Sequence, residues 1–468
     1  MTAPRPDSAP HFAAARIAAF ARGARAAALP RAVIEAAKLH LLDALGVALA
    51  AASLATRPRL DRAVAALGRG EEATGLGLAV PLPAPAAALL NGSLIHALEF
   101  DDTHMAAVMH GSAVIAPCAL AVAEREACTG ADLIAAFALG WEVLARIGLA
   151  GPGAFQARGF HSTAVAGAPV AALVAGRLMG LDARTLTHAL GIAGSQAGGI
   201  FEFLSDGSTV KMLHGGWPAH AGVMAAEFAR CGVTGPASVF EGPRGLFRAF
   251  ADAPGAGERL ACALDDLGTR WLLPEAAFKP YPCCHYNQAA IECVRRLMDG
   301  GVTAAAVERI ECALPAEVAW LVCEPWAAKL APDSGHVAKF SLPYCVAAML
   351  VDGDVDVSTF DRERADPRLR PMMERMSFHP LADSGFPQRY PARVRIRTRD
   401  ARMHEAEVQD VLGSPRRPFS AEQVRAKFRR NAARTLRDEA VEAVVDAVRC
   451  VHDAPDLAPL TRALRAVR

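Results

Sequence analysis

The most unusual stretch of this sequence is His96-Ala-Leu-Glu-Phe-Asp-Asp-Thr-His104 with its continuation Met109-His110-Gly-Ser112. The stretch holds three histidines, three carboxylates and two hydroxyls. Its flanks, residues 85–90 and 113–123, are apolar and rich in alanine, which is typical of buried helices. Buried polar groups cost free energy unless they are paired, and crowding moves the pKa values of carboxylates and imidazoles toward neutrality. The stretch therefore predicts an acid–base site set between buried helices.

A simpler alternative is that this stretch only begins a helix. Asp101, Asp102 and Thr103 are all residue types that cap the free N–H groups of a first helical turn. Capping does not account for the three histidines, so the functional interpretation is preferred.

The composition favours closely packed helices and excludes several partners. The chain of 468 residues suggests two domains. It is 52% hydrophobic but only 6% aromatic, so Ala, Leu and Val build most of the core, and alanine is the best helix former. The 50 basic and 49 acidic residues leave a net charge of +1. We expect no nucleic-acid or membrane partner, because this balance provides no general attraction to polyanions.

Cysteine usage and the N-terminus predict a cytoplasmic protein. The eleven cysteines show no spacing typical of a disulfide framework or a zinc site, which favours a reducing compartment. Residues 1–10 lack the apolar centre of a signal peptide. Arg125, Glu142 and Arg177 interrupt the apolar runs that approach membrane-spanning length.

Hydrophobic spacing divides the chain into a helical half and an α+β region. The predicted helices of the first half span residues 12–28, 30–51, 85–97, 133–149, 164–179, 185–197 and 215–231, with a loop at 68–83. A capping box is predicted from Thr129 to Asp132, and Asp182 is predicted to cap the helix at 185–197. In the second half, residues 307–314 and 392–398 alternate as strands, and 404–411 would complete a hairpin. Helices are predicted at 288–298, at 342–350 and from Ser420 onward.

Four further clusters combine side chains that suit acid–base chemistry or anion binding. They are Gly159-Phe-His161-Ser-Thr163, the segment from Asp206 to Gly216 with Lys211 and His214, the segment Phe278-Lys279-Pro-Tyr281-Pro-Cys283-Cys284-His285, and Lys339-Phe-Ser341-Leu-Pro-Tyr344. Cationic residues suit a substrate with carboxylates, and imidazoles suit proton transfer.

Each cluster has an alternative interpretation. His161 could be a structural histidine, and Lys211 and Lys279 could be surface residues. The adjacent Cys283 and Cys284 are poor partners for one metal ion or one disulfide, so they are interpreted as small residues that pack beside a ligand. Metal binding through Asp101, His104 and His110 stays open, although no zinc-protease spacing is present. Dinucleotide-binding, P-loop and nucleophile-elbow motifs are absent from the sequence.

Taken together, these motifs resemble the MmgE/PrpD family, whose members include 2-methylcitrate dehydratase, cis-aconitate decarboxylase and iminodisuccinate epimerase. The motifs that carry the resemblance are residues 96–104, 110–112, 159–163, 211–215, 279–284 and 338–344, with 413–428 as a C-terminal match. They follow the family's order and cover nearly the whole chain.

The resemblance implies a mainly α fold and a metal-free, cofactor-independent homodimer with one site per subunit, in a cleft between two domains. A large all-α domain would comprise residues 1–268, completed by helices in 412–468, and residues 269–411 would form a smaller α+β lid. By motif position the catalytic residues would be Asp101, Thr103 or His104, His110, His161, Lys211, Lys279 and Tyr344. The predicted substrate-binding residues are Asp102, Thr103, Ser112, His214, Tyr281, Cys284, His285 and Ser341.

Two positions depart from the family pattern. The usual His-Pro-Ser is His110-Gly-Ser112 here, which we expect to loosen the backbone beside a catalytic histidine. The histidine that many members carry after the paired cysteines is Gln288 here, with His285 nearby. Both differences bear on the reaction, because members of one fold differ in chemistry.

The sequence thus predicts a lyase or isomerase that acts beside a carboxylate of a small di- or tricarboxylate, in the manner of 2-methylcitrate dehydratase. Lys211 and Lys279 would stabilise negative charge, His110 or His161 would move the proton, and Asp101 would orient its partner. The alternatives are a cis-aconitate-type decarboxylase or an iminodisuccinate-type epimerase. Two other classes stay open, namely a non-catalytic polycarboxylate-binding protein and a metal-dependent hydrolase.

Overall fold

A computed structural model describes residues 12–468. The sequence-based expectation for residues 1–10 lies outside the described residues. The α-helices are α1 (Ala13–Gly23), α2 (Arg31–Ala52), α3 (Arg57–Ala65), α4 (Ala84–Ala97), α5 (Ser112–Arg125), α6 (Gly130–Ala150), α7 (Ala154–Ala157), α8 (Ser162–Leu178), α9 (Ala183–Gly194), α10 (Phe203–Asp206), α11 (Leu213–Arg230), α12 (Ala256–Ala263), α13 (Gln288–Asp299), α14 (Ala319–Val322), α15 (Trp326–Lys329), α16 (Gly335–Ala338), α17 (Leu342–Asp352), α18 (Val357–Phe360), α19 (Arg370–Met373), α20 (Ala421–Ala432), α21 (Asp438–Cys450) and α22 (Ala458–Leu464). The strands are β1 (Ala73–Thr74), β2 (Pro81–Leu82), β3 (Val307–Pro315), β4 (Met376–Leu381), β5 (Ala392–Thr398) and β6 (Met403–Val408). The prediction of a mainly α protein with a small sheet is confirmed.

Small residues allow the helices of the N-terminal half to pack unusually closely. A Cβ added at Gly92 of α4 would lie 2.7 Å from the Cα of Gly216 of α11. One added at Gly222 would lie 2.3 Å from the Cβ of Ala171 of α8. Both distances are shorter than a normal van der Waals contact, so a larger side chain at either glycine would push these helices apart. This packing fixes the ends of α4, α8 and α11, where the motif residues lie.

Helix α6 is a core helix despite its apolar character. Its length and composition would suit a membrane span, but 94% of its apolar window is buried inside the protein. It begins with the capping box predicted at Thr129 and Asp132, which is confirmed. Glu142 pairs with Arg146 at 2.6 Å and accepts hydrogen bonds from the backbone N–H groups of residues 272 and 273. A charge that is paired in this way can be buried at acceptable cost.

The second half contains a four-stranded sheet in the order β4-β3-β5-β6. Strand β5 pairs antiparallel with both β3 and β6; the β5–β6 pair is the predicted hairpin, and β5 has the predicted bounds. Strand β4 runs parallel to β3 and was not predicted. It contains His379-Pro380 and lies at an edge, where a proline is tolerated, so it lacks the strand pattern. The short β1–β2 ribbon lies within the segment predicted as a loop.

Hydrophobic side chains fall into two large clusters. The first joins α1–α9, α11 and α12 with the C-terminal helices, and it includes Phe428 of α20 beside Gly46 of α2. The second lies between the sheet and α13 and α17, and it also includes Phe203 from the N-terminal half. The proposed domain boundaries at residues 268 and 411 stay a prediction.

Candidate active site

The central stretch forms a buried, irregular turn between α4 and α5. Helix α4 ends at Ala97, and Glu99 then adopts a left-handed conformation with φ of 55°. Helix α5 begins at Ser112 without a side-chain cap from its own N-cap residue. The Ser112 N–H instead donates to the Asp102 carboxylate at 3.2 Å. The capping alternative therefore holds for Asp102, although that carboxylate reaches the helix from ten residues away in sequence.

Lysines from distant parts of the chain hold this turn by its backbone carbonyls, and we call this set the lysine clamp. Lys339 Nζ donates to the carbonyl of Ala97 at 3.0 Å, and Lys279 Nζ donates to the carbonyl of Glu99 at 3.0 Å. Lys427 Nζ donates to the carbonyl of Phe100 at 2.9 Å. Ala97 is the last residue of α4, and the final carbonyls of a helix lack helical partners and carry partial negative charge, so an ammonium group suits this one. The carbonyls of Glu99 and Phe100 lie in the turn after the helix, and a buried carbonyl there also needs a donor. Lys427 also pairs with buried Asp43 at 2.8 Å. The clamp fixes the backbone from which the site residues project.

Asp101 lies at the centre of the site. His96 Nδ1 donates to its carboxylate at 2.7 Å, His110 Nδ1 lies 3.7 Å away, and Lys279 Nζ lies 3.9 Å away. Burial alone would raise the pKa of Asp101. The neighbouring histidines and Lys279 have the larger effect and hold the pKa of Asp101 well below its usual range. Asp101 is therefore a permanent anion that orients the imidazoles. His96 was part of the quoted motif but was not predicted as a site residue.

Four imidazoles form a cluster beside this carboxylate. The ring of His96 lies 5.3 Å from those of His110 and His161, and His161 lies 5.2 Å from His214. Burial lowers the pKa of His110 to about 3 and that of His161 well below its usual value. Burial also lowers the pKa of His214 to about 3. These three rings are neutral at pH 7 in the free protein, so they can accept protons.

His110 has a defined tautomer. Its Nδ1 donates to the backbone carbonyl of Asp102 at 3.0 Å, and a carbonyl can only accept. The lone pair of the neutral ring is therefore on Nε2, which makes no hydrogen bond within the described residues. His110 lines the cavity described next, so this nitrogen is available to accept a proton.

These groups face a cavity of about 80 Å³. Its lining includes Glu99, Thr103, His110, His161, Lys211 and Lys279. Next to them Cys284, His285, Tyr286 and Tyr390 contribute from the second half of the chain. Both ring nitrogens of His285 are buried and have no partner within the described residues. Unpaired buried polar atoms are rare and point to a ligand, which agrees with the predicted substrate-binding role of His285.

A group of aromatic side chains also lines the cavity, and we call it the aromatic wall. It consists of Phe201, Phe203, Trp320 and Phe340, with neighbouring ring centroids 5.9–6.5 Å apart. The Lys211 ammonium lies 5.1 Å from the centre of the Phe340 ring. None of these aromatic residues was predicted, because single aromatic residues in helical sequence look like core residues. The cavity lining thus combines ionic and aromatic side chains.

Glu99 is another site residue that was not predicted from the sequence. Its carboxylate forms an ion pair with Lys211, and both side chains are buried. Burial raises the pKa of Glu99, but Lys211 and Lys279 outweigh it and lower the value to about 2. The left-handed backbone costs a residue with a side chain about 1–2 kcal/mol.

Several predicted residues lie outside the cavity. The Tyr344 hydroxyl bonds the backbone of residues 359 and 366, and Ser341 caps α17. Tyr281 accepts from Arg295 at 3.0 Å, and the His104 ring faces Glu275 at 4.0 Å. The structure therefore corrects the expectation that these four side chains line the site. Where Thr103 and His104 were alternatives, Thr103 is the one that reaches the cavity.

Asp102 and Ser112 form a buried network behind the cavity. His40 donates to Asp102 at 2.7 Å, and Trp141 Nε1 donates to Ser112 Oγ at 3.2 Å. The two residues support the turn and do not line the cavity, contrary to their predicted substrate contact. His214 lies directly behind His161, with the Nδ1 atoms 3.2 Å apart.

The structure explains both departures from the family pattern. A Cβ at Gly111 would lie 2.6 Å from the indole ring of Trp141, so the indole occupies the space of a larger residue. Gly111 has φ of −70° and is packed, so the expectation of a loosened backbone is corrected. Gln288 bonds the backbone of Tyr281 and Cys283 at 3.0–3.1 Å and therefore holds the loop that carries Lys279.

The thiols in this loop are uncharged. Burial raises the pKa of Cys283 well above its usual value and that of Cys284 to about 11. This agrees with the interpretation of both as small packing residues. Within residues 12–468, no group of three or more His, Cys, Asp or Glu side chains is arranged to hold a metal ion.

Comparison with known proteins agrees with the motifs. The sequence matches the MmgE/PrpD N-terminal domain over residues 15–258 and the MmgE/PrpD C-terminal domain over residues 281–453. Cis-aconitate decarboxylase of Mus musculus is 29% identical, over 81% of this chain and 78% of that protein. Cis-aconitate decarboxylase of Aspergillus terreus is 27% identical, over 93% and 92%. Cis-aconitate decarboxylase-like protein oryM of Aspergillus oryzae is 26% identical, over 92% and 93%.

Proposed function

The chain belongs to the MmgE/PrpD family, and from this premise we propose that it is a decarboxylase of small unsaturated polycarboxylates of the cis-aconitate type. The relatives named above are similar over most of their length and carry this activity in their names. They support the decarboxylase alternative better than the 2-methylcitrate dehydratase interpretation preferred from the sequence. That the chain is an enzyme of this family agrees with the prediction.

The combined ionic and aromatic lining of the cavity is the observation that carries the proposal. When a carboxylate leaves as carbon dioxide, the C–C bond breaks and its electron pair stays on carbon. The negative charge thus moves from the departing group to the carbon and into a neighbouring carboxylate. An apolar surrounding disfavours the departing carboxylate relative to neutral carbon dioxide, and cations favour the charge that develops beside it. The aromatic wall supplies the first environment, and Lys211 and Lys279 supply the second.

The proton must then reach the carbanion. A polycarboxylate that enters the cavity brings negative charge next to neutral imidazoles, and nearby negative charge favours the imidazolium form. His110 Nε2 takes up a proton from solvent as the substrate binds and delivers it to the carbanion. Asp101 stabilises the imidazolium, since it lies 3.7 Å from the His110 ring nitrogen. His161 lies beside His110 and is the alternative donor.

The test follows three substrates by NMR in deuterated water, namely cis-aconitate, 2-methylcitrate and iminodisuccinate. We expect carbon dioxide to be released from cis-aconitate, with one deuteron incorporated per turnover at the carbon that carried the negative charge. Loss of water from 2-methylcitrate alone, or proton exchange in iminodisuccinate alone, would assign the site to the rival reactions. Binding of all three without turnover would favour the non-catalytic alternative. A Phe203→Leu variant keeps the wall apolar and serves as the matched control for Phe203→Gln, which we expect to be slower.

We further propose a homodimer that acts in the cytoplasm on a small carboxylate, without a nucleic-acid or membrane partner. Free cysteines suit a reducing compartment, and eleven are free in the structure. Trp217 and Phe228 of α11 and the adjacent Val233 are 40–52% exposed, which suits burial against a second subunit.

A further inference from the structure

We propose that Glu99 is a positioning residue that sets both lysines of the site, with its carboxylate holding Lys211 and its backbone carbonyl holding Lys279. The inference rests on the proposed function in taking the described cavity as the active site. It goes further by assigning a role to a carboxylate that does not itself stabilise the substrate.

The contacts of Glu99 divide between its side chain and its backbone. The carboxylate pairs with Lys211, and the carbonyl oxygen accepts from Lys279 Nζ at 3.0 Å. Lys211 comes from the segment before α11, and Lys279 comes from the loop between the two halves of the chain. Because one residue contacts both ammonium groups, their separation across the cavity is set by the conformation of Glu99.

The backbone conformation points to a requirement for this side chain. Glycine or asparagine would adopt φ of 55° at lower cost than glutamate. A strained residue persists only where the surrounding structure maintains it, and such residues cluster at functional sites. A glutamate here keeps the left-handed turn and adds a carboxylate that reaches Lys211.

The charge of Glu99 indicates positioning rather than substrate binding. The carboxylate stays ionised, since its pKa lies at about 2. A permanent anion repels the carboxylates of the proposed substrate, so it cannot be their binding partner. It can hold the Lys211 ammonium by one N–H and leave the others for the substrate. Without it, Lys211 would lose its counter-ion and its fixed place in a buried site.

Two variants separate the carboxylate from the turn. Glu99→Gln removes the charge and keeps the carbonyl, and Glu99→Asn also suits the left-handed backbone. The first readout needs no substrate. The protein is treated with acetic anhydride, and mass spectrometry measures how fast each lysine is acylated. An amine held in an ion pair reacts slowly, so we expect Lys211 to react at least about tenfold faster in both variants. Lys279 should react as in the wild type, because its carbonyl partner is retained.

Activity and stability complete the test. We expect kcat/KM for cis-aconitate to fall by roughly 10²-fold in both variants, the size of effect that misplacement of a site group can cause. Glu99→Asn should unfold below the wild-type temperature, because loss of a buried ion-pair partner costs more than the backbone strain that asparagine relieves. The matched control Ala401→Asn, which changes another left-handed residue in an exposed hairpin turn, should unfold at the wild-type temperature or above. The control should keep full activity.

Three outcomes would overturn the inference. Unchanged acylation of Lys211 would show that Glu99 does not hold it. Equal acceleration at Lys211 and Lys279 in both variants would show collapse of the turn, and hence a purely structural role. Full activity of Glu99→Gln with faster Lys211 acylation would show that the position of Lys211 does not matter. Inactivity of the wild type toward cis-aconitate would refute the proposed function alone, since the acylation result stands without substrate.

Discussion

Substitution of Gly111 tests whether Trp141 has taken the space of the residue that the family usually carries there. In Gly111→Ala the new Cβ would lie 2.6 Å from the indole carbons, whereas carbon atoms in contact lie about 3.5–4.0 Å apart. The indole must therefore retreat by about 1 Å. Trp141 is completely buried, so it retreats into packed neighbours.

The cost can be worked from the contacts. Overpacking of a core costs about 1–3 kcal/mol. The hydrogen bond from Trp141 to Ser112, now 3.2 Å long, would weaken, at about 1 kcal/mol. Alanine in a helical conformation recovers roughly 0.5–1 kcal/mol relative to glycine. We therefore expect Gly111→Ala to lower the free energy of unfolding by about 2 kcal/mol.

The assay is urea unfolding followed by circular dichroism, applied to a double-mutant cycle with Trp141→Phe. The smaller ring lacks the atoms that the new Cβ would meet, so in that background alanine should cost less than about 0.5 kcal/mol. An equal cost of alanine in both backgrounds would refute the reasoning. Gly111→Pro should follow the same pattern, since φ of −70° suits proline.

The remaining predictions concern the site, the pH dependence and the assembly. His110→Gln or His161→Gln should lower kcat by roughly 10²-fold with KM nearly unchanged, and full activity of His110→Gln would exclude it as proton donor. Lys279→Met should raise KM and also lower kcat, and Asp101→Asn should behave like the histidine variants if it stabilises the imidazolium. Acid should destabilise the protein: the folded pKa of His110 lies at about 3, below the unfolded value of 6.5, so unfolding takes up a proton between these pH values. Stability is then complete above pH 6.5 and declines toward pH 3, and a melting temperature that stays constant down to pH 4 would contradict this. Activity should survive chelators, and light scattering at micromolar concentration should show a dimer rather than a monomer.

Much of the fold could be predicted because its signals are local. Asp182 caps α9, and Ser420 caps α20. Each side chain accepts a hydrogen bond from a backbone N–H group only three residues further along the chain. The β5 strand alternates cleanly. The β4 strand could not be predicted, because its place depends on pairing with β3, which lies more than 60 residues away.

The site was predictable as a set of motifs and less so as a set of contacts. His110, His161, Lys211 and Lys279 meet in one cavity, as the motifs suggested. Tyr344 belongs to a recognised motif, but its position on α17 turns the hydroxyl toward residues 359 and 366. No pattern of residue types reveals which side of a buried helix faces a cavity.

The lysine clamp also sets the time at which an active site can exist. The Phe100 carbonyl is made early in translation, and its partner Lys427 follows 327 residues later. At synthesis rates of about 5–20 residues per second, the ribosome needs roughly 16–65 s to cover that distance. During this interval the helices of the first half can pack, but the catalytic turn lacks one of its anchors. A growing chain therefore carries the side chains of the candidate site long before Lys427 can hold the turn that presents them.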